Sequence, residues 1–443
     1  MREVKSRGNK RIDKDKVSDC TIGVVGLGYV GLAVALGFSK RYQVVGFDVD
    51  KQKVELLKKH IDRTKEVSTE ELERSAILFT TNEQKLGMCD YLIVAVPTPI
   101  TEQKEPDLRY LIAASQMIGS NLAEGATVVY ESTVYPGATE EVCIPILEKC
   151  SQMKAGKGFF VAYSPERINP GDRQHTFGQI EKIVAGQDKA VSEKVAALYQ
   201  SVIDAPIYQA NSIKVAETAK VIENTQRDIN IALMNELAMI CDKVGIKTAD
   251  VLEAARTKWN FFPFTPGLVG GHCIGVDPYY LIYKARALHH TPEFLEAARK
   301  INDSMAAYVH RAVLDEIIRS KQNLRDVSIT VMGITFKENV PDIRNSKAVE
   351  IVKMLQDVGL SVTVYDPIAH PLEMESEYGI KLAEREAILP ADILLVLVPH
   401  EEFVNMTPSD ISSFLKDDQA FVFDLKNIWN HHQLASSIKR KSL

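Results

Sequence analysis

The chain has 443 residues, too many for one hydrophobic core, so two or three domains are expected. It is 45% apolar and 25% charged, as ordinary folded proteins are, and its net charge of −6 argues against a nucleic-acid partner. No apolar run is long enough to span a bilayer, and the six cysteines (Cys20, Cys89, Cys143, Cys150, Cys241 and Cys273) lack metal-site or CxxC spacing, so neither membrane insertion nor a metal is expected. A reducing, cytoplasmic setting fits that cysteine usage.

Residues 1–19 are polar and rich in Lys and Arg, without the apolar core of a signal peptide, and read as a loosely attached arm. The run 21–25 then predicts a strand, followed by Gly26-Leu27-Gly28-Tyr29-Val30-Gly31 and a helical pattern to Ser39. A strand, a tight glycine turn and a helix N-terminus form the pyrophosphate cradle of dinucleotide-binding folds, because bare backbone and the helix dipole both favour phosphate. The next strand, 44–48, ends in Asp48, about 20 residues beyond Gly28. A carboxylate there bonds a ribose 2′-hydroxyl and repels a 2′-phosphate, so the expected cofactor is NAD rather than NADP. Further strand-like runs at 91–96, 127–130, 159–163 and 182–185 alternate with helical patterns and predict a parallel sheet covered on both faces.

From Ser212 to about Val244 a helical run without proline or glycine suits a domain bridge or a dimer interface. The loop 264–278 follows, Phe-Thr-Pro-Gly-Leu-Val-Gly-Gly-His-Cys-Ile-Gly-Val-Asp-Pro, whose glycines and prolines disfavour regular structure. It holds Cys273 with Asp277 nearby, an arrangement placed to react rather than to pack. After Arg325 the strand–helix alternation returns: 392–399 mirrors 90–97, and 361–366 mirrors the strand ending at Asp48. At the turn equivalent to the glycine cradle stands 333–344, where Lys337 and Arg344 replace glycines and suit a different phosphorylated ligand. The expected fold is α/β, with two Rossmann-like, doubly wound parallel-sheet domains joined by a long central helix. The expected divisions are 20–210 for NAD, 211–320 for a central helical domain with the cysteine loop and a dimer interface, and 321–443 for the second ligand.

Together these residues resemble the UDP-sugar 6-dehydrogenases from about Thr21 to Trp429. The motifs are GLGYVG, VPTP at 96–99, ESTV at 131–134, SPERINPG at 164–171, KVIEN at 220–224, GGHCIGVDP at 270–278 and GITFKEN at 333–339. Within that family the chain is similar to the branch acting on UDP-N-acetylhexosamines, in particular the UDP-N-acetylglucosamine 6-dehydrogenases of surface-polysaccharide pathways. UDP-glucose dehydrogenases typically read SPEFLREG at the fourth motif and carry serine or alanine where His272 stands. The resemblance implies two successive oxidations of C6, from alcohol to aldehyde to carboxylate, with two NAD reduced per sugar.

Carried over residue by residue, the resemblance makes Cys273 the nucleophile that captures the aldehyde. Lys220 and Asn224, one turn apart on one helix face, stabilise the oxyanion at C6. Glu166 is the acid/base of hydrolysis, while Thr133 and Asp277 order a water or the catalytic groups. Lys53, Pro97, Thr98, Ser132, Thr133 and Arg344 join the glycine turn and Asp48 around the cofactor. The UDP-sugar is met by Glu166, Arg167, Ile168, Asn169, Lys220, Asn224, Phe264, Pro266, Gly267 and Gly270. Phe336 and Lys337 contact it from the C-terminal domain, and Arg256 reaches the substrate of a neighbouring subunit in a homodimer or higher homo-oligomer. Alternatives are the same chemistry on UDP-N-acetylgalactosamine, UDP-N-acetylmannosamine or UDP-glucose, a two-electron hydroxyacid dehydrogenase, and a catalytically silent nucleotide-sugar-binding protein. The last two leave Cys273, Lys220 and Asn224 without a role.

Overall fold

Short, largely apolar runs build the central strands of both sheets. The computed structural model describes residues 20–63, 66–168, 177–320 and 323–443; the expected N-terminal arm and Asn169 lie outside the described residues. The chain divides into two units: one runs to Lys220 without Glu102–Glu105, and the other comprises Glu102–Glu105 and Val221–Leu443.

The first unit carries an eight-stranded sheet from β1 (Thr21–Val25), β2 (Gln43–Phe47), β3 (Ile77–Thr80), β4 (Tyr91–Val94), β5 (Thr127–Tyr130), β6 (Phe160–Tyr163), β7 (Lys182–Gly186) and β8 (Ile207–Gln209). Its order is β3-β2-β1-β4-β5-β6-β7-β8. β4 and β5 are buried at every residue, as strands covered on both faces must be. Their apolar content is what makes them legible as runs rather than as alternating patterns. Thr21 pairs with Gln43 and Val25 with Phe47 in parallel register, and the crossover between β1 and β2 is the helix Tyr29–Ser39. That helix presents Val34, Ala35 and Phe38 to a core shared with Val24, Leu198 and Tyr199. One expectation is corrected here: β7 runs antiparallel to β6, with Ala162 opposite Gly186, so the sheet is not wholly parallel. β3 and β8, which the sequence reading did not pick out, are short strands of four and three residues.

The second unit's sheet comprises β9 (Ser328–Met332), β10 (Ser361–Tyr365), β11 (Ile393–Val396), β12 (Phe421–Asp424) and β13 (Lys439–Lys441), all parallel, in the order β10-β9-β11-β12-β13. The helix Lys347–Asp357 turns Val349, Ile351, Val352 and Leu355 into its core. The fold is therefore α/β, with a Rossmann-like sheet at each end of the chain.

Between the sheets in sequence runs the helix Ile213–Val244, 32 residues and about 48 Å long. Its polar residues Glu217, Lys220, Asn224, Thr225, Asp228 and Asn235 are buried, whereas Val215, Ile222, Leu233, Ile240 and Val244 are exposed. Buried polar groups cost free energy unless partnered, so this inverted face means that the inward side chains are occupied with specific bonds.

Candidate active site

At the end of β1 the backbone turns sharply. Gly26 has φ +93° and donates to Phe47 O at 2.9 Å. A Cβ on Gly31 would stand 1.8 Å from Gly26 O, so the helix can approach the turn this closely only through glycine. The face of Gly28 opens onto free space, where a pyrophosphate can come against backbone. Tyr29 and Val30 form the first helical residues. The Asp48 carboxylate is buried just after β2 and accepts from Leu27 N at 2.9 Å and Asp50 N at 2.9 Å. Lys53 donates to the same carboxylate at 2.8 Å. Pro97 and Thr98 follow β4, Ser132 and Thr133 follow β5, and Ser132 Oγ donates to Val96 O at 2.7 Å, tying the two loops together. These residues fit NAD: an open glycine cradle, a helix N-terminus and a carboxylate beside it.

In the same unit Glu166 lies in a buried ionic cluster. Lys182 Nζ reaches Glu166 Oε2 at 2.5 Å and Glu131 Oε1 at 3.0 Å, and Tyr199 donates its hydroxyl proton to Glu131. Glu166 Oε1 also accepts from the amides of Arg167 at 2.7 Å and Ile168 at 3.1 Å. Burial pushes the Glu131 carboxyl up, against the pull of Lys182, and the Glu166 charge adds to the rise. Lys182 itself is raised: burial disfavours its charge, but the two carboxylates outweigh that. A buried ammonium between two carboxylates fixes Glu166 in one rotamer. Arg167 donates to the carbonyls of Ala219 at 3.2 Å and Lys220 at 2.9 Å. Lys220 is buried one turn before Asn224 on the central helix.

The second unit assembles the cysteine loop. Cys273 is half-buried, and its carbonyl accepts from the amides of Val276 at 3.0 Å and Asp277 at 2.9 Å, where the helix Asp277–Ala287 begins. Asn224 Nδ2 donates to Asp277 Oδ2 at 2.6 Å, both groups being buried. Farther along the central helix, Asn235 Oδ1 accepts from Gly267 N at 2.8 Å and its Nδ2 donates to Gly267 O at 3.0 Å. One side chain thus clamps both backbone polar groups of Gly267, in the segment expected to wrap the sugar nucleotide. Lys426 donates to Pro266 O at 2.8 Å from the other side. Phe336 packs on Gly271, where a Cβ would meet its ring at 2.6 Å, and a Cβ on Gly270 would meet Asn345 O at 2.7 Å. Lys337 is half-buried, and its carbonyl accepts from Thr335 Oγ1 at 2.9 Å. Phe264 is half-buried, and Arg256 is exposed at the end of the helix Thr248–Arg256. Arg344, assigned to the cofactor by resemblance, lies in this unit and is hydrogen-bonded to Asp342.

The sequence reading missed Glu131, Lys182, Asn235, Asp342 and Lys426. Lys182 carried a signal in retrospect, since a lysine opening an otherwise apolar strand needs a buried counter-charge. Asn235 sits at helical spacing from Asn224 and Asp228, a buried polar stripe that periodicity exposes once the inward face is known.

Residues 20–203 match the NAD binding domain of the UDP-glucose/GDP-mannose dehydrogenase family, residues 214–304 its central domain, and residues 330–431 its UDP binding domain. Protein CapL of Staphylococcus aureus is 50% identical over 413 residues, covering 93% of this chain and 97% of CapL. A UDP-N-acetyl-D-glucosamine 6-dehydrogenase of Pseudomonas aeruginosa is 48% identical, with 93% and 97% covered. Among solved structures, a UDP-D-ManNAc dehydrogenase from Pyrococcus horikoshii superposes with a TM-score of 0.86 at 28% identity, covering 95% of this chain and 98% of that one. With its glycine cradle, its cysteine loop and all three domain matches in order, the chain belongs to the UDP-glucose/GDP-mannose dehydrogenase family and takes NAD as its cofactor.

Proposed function

We propose that the protein oxidises C6 of a UDP-N-acetylhexosamine, UDP-N-acetyl-D-glucosamine first among them, through the aldehyde to the uronic acid. The observation that carries this reading is Cys273, held in a glycine loop whose following helix is fixed to the central helix by the Asn224–Asp277 bond of 2.6 Å. A two-electron dehydrogenase has no use for such a thiol. A four-electron one needs it, because the aldehyde must be held covalently for the second oxidation.

NAD bound in the Gly26–Gly31 cradle would supply the hydride acceptor, a fresh NAD for each of the two oxidations. Cys273 Sγ adds to the aldehyde carbon, forming a thiohemiacetal, and the second oxidation leaves a thioester on the sulfur. Lys220 and Asn224 are the cation and amide assigned to the oxygen of C6, whose negative charge grows in each step. Glu166, fixed by Lys182, takes the proton of the water that cleaves the thioester, releasing the carboxylic acid and restoring the sulfur. Thr133 and Asp277 position that water or the groups around it.

The sugar is read through the acetamido group by the 166–170 segment. That group offers one donor, one acceptor and a methyl, and a site built for it leaves polar groups unpaired when a hydroxyl replaces it. The 48% identity to a relative named for UDP-N-acetyl-D-glucosamine supports this epimer over the mannosamine of the 28% identical structure. A screen of UDP-sugars with NAD, following NADH, tests the proposal. UDP-N-acetylglucosamine should give the highest kcat/KM and two NADH per sugar, with UDP-N-acetylgalactosamine next and UDP-glucose poor. One NADH per sugar sinks the four-electron reading, and UDP-glucose turnover equal to that of UDP-N-acetylglucosamine sinks the substrate assignment alone. The exposed apolar stripe of the central helix, Val215, Ile222, Leu233 and Ile240, supports a homodimer formed on that helix. A monomeric mass by light scattering at micromolar concentration would remove that part.

A further inference from the structure

His272 precedes the proposed nucleophile, and three groups from two segments of the second unit meet around it. Its Nδ1 lies 3.1 Å from Cys273 Sγ. Its Nε2 lies 3.6 Å from Asp342 Oδ2, an ion-pair distance on the opposite edge of the ring. The Phe336 ring stands 6.1 Å from the imidazole. Asp342 is itself anchored: it accepts from Arg344 N at 3.0 Å and Arg344 Nε at 2.9 Å, and its backbone carbonyl accepts from Phe336 N at 3.0 Å. The Gly271 amide donates to Asn345 O at 3.3 Å, and Asn345 Nδ2 donates back to Gly271 O at 3.3 Å. These two bonds lock the 333–346 loop to the cysteine loop, so sulfur, imidazole and carboxylate are held in a line.

We propose that His272 is the acid–base partner of Cys273, taking the thiol proton on Nδ1 and keeping it, with Asp342 as the positioning residue that orients the ring. The S–H bond breaks, the Nδ1–H bond forms, and Nε2–H faces the carboxylate, so the resting nucleophile is a thiolate beside an imidazolium. This rests on reading Cys273 as the nucleophile, and it assigns to the loop from β9 a role in activating the cysteine. The charges around the ring agree in sign. Burial works against a charged imidazole, but Asp342 and the cysteine sulfur outweigh it and push His272 up to about 9, while Arg344 opposes weakly. Burial likewise disfavours the Asp342 charge, yet His272 and Arg344 hold that carboxyl well below the usual range. Glu373, on the helix Pro371–Tyr378, interacts with Asp342 and Arg344 from the next element. A thiolate paired with an imidazolium is the reactive form of a cysteine at neutral pH.

The test is alkylation of Cys273 by iodoacetamide, read as modification of its own peptide by mass spectrometry, on the full chain from pH 6 to 10. Neither sugar nor NAD is present, so a failure of the substrate assignment leaves this readout untouched. The parent should react quickly at pH 7 and change little between pH 7 and 9. His272→Gln and His272→Ser should react about tenfold more slowly at pH 7 and recover the parent rate near pH 10. Asp342→Asn, which leaves the ring in place, should fall between, about threefold slower at pH 7. Variants that keep the parent rate at pH 7 overturn the proposal. So does a slowing that is the same at every pH, which marks a packing effect, and thermal unfolding of each variant separates that from misfolding.

Discussion

At the end of β1, Gly26 donates to Phe47 O and Leu27 donates to the Asp48 carboxylate; at the end of β9, Gly333 donates to Tyr365 O and Ile334 donates to the Asp366 carboxylate. Both glycines have positive φ, +93° and +86°. The two sheets therefore make the same turn with the same aspartate and diverge immediately after it. In the first, the helix begins at Tyr29 and Asp48 has as its third partner Lys53, whose side chain is 34% exposed. In the second, the helix begins only at Lys347, and Asp366 is bonded to the wholly buried His400. His400 Nδ1 accepts from Asn339 N at 2.9 Å, so its Nε2 carries the proton that Asp366 receives. A lysine at the surface can swing aside for a ribose; an imidazole sealed between two backbone segments cannot. Identical turn chemistry thus gives an open ligand cradle in one sheet and a structural staple in the other, and the longer second loop is free to grip the cysteine segment.

The strongest way to break this contrast is to fill the first cradle. Gly31→Ala places a methyl 1.8 Å from Gly26 O, and neither can yield, because the methyl carbon is fixed to Cα and the oxygen is backbone. NAD affinity should drop about 100-fold, roughly 3 kcal/mol, as the helix is forced from the turn. Calorimetric titration with NAD checks this, and an affinity within a few-fold of the parent would mean that the cradle is not where the pyrophosphate rests.

Removing the staple should do the opposite, costing stability while sparing the cofactor. His400→Ala leaves Asp366 buried without its imidazole, at a cost of about 3 kcal/mol in unfolding free energy and with NAD affinity unchanged. The pH dependence has a definite sign. Burial disfavours the Asp366 charge, but His400 and the amides of Ile334 and Ala369 hold its carboxyl below the ordinary value. A depressed carboxyl contributes stability that is present above its unfolded value and is lost as pH falls through the folded one. The parent should therefore weaken below about pH 4, and Asp366→Asn should flatten that limb of a urea-midpoint profile. A His400→Ala chain as stable as the parent would show that Asp366 needs no staple.

The contrast also explains what the sequence made legible. The first cradle is local: strand, glycines and helix lie within residues 21–39, and Asp48 follows at a spacing set by one crossover. The long helix was readable because it lacks proline and glycine, whereas its Lys220 and Asn224, one turn apart, were singled out by the resemblance. The residues that complete the second unit's site were not readable in this way. His272 meets Asp342 and Asn235 clamps Gly267 across long stretches of chain, and such partners are chosen by tertiary packing rather than by any local pattern. The same holds for the cluster of Lys182, Glu131 and Glu166, and for the reversal of β7, whose five residues would serve a parallel sheet equally well. Arg344 was read as a ligand-seeking cation, and the fold gives it Asp342.

The finest test concerns Lys53, the group that distinguishes Asp48 from Asp366. Its ammonium lies 2.8 Å from the carboxylate and is partly in solvent, so the pair itself contributes at most about 1 kcal/mol to stability. Its effect belongs to cofactor choice. Asp48 repels a 2′-phosphate, whereas a nearby ammonium attracts one, and the two residues therefore pull the NAD-to-NADP preference in opposite directions. Asp48→Ala should narrow the preference about tenfold, because the repelling charge is lost and the attracting one freed. Lys53→Ala should widen it by only about threefold, because Asp48 already dominates as the buried member of the pair. Both are read as the ratio of kcat/KM for NAD to that for NADP. If Lys53→Ala narrowed the ratio instead, the lysine would be holding the carboxylate in place for the ribose, and the open cradle would depend on its own staple.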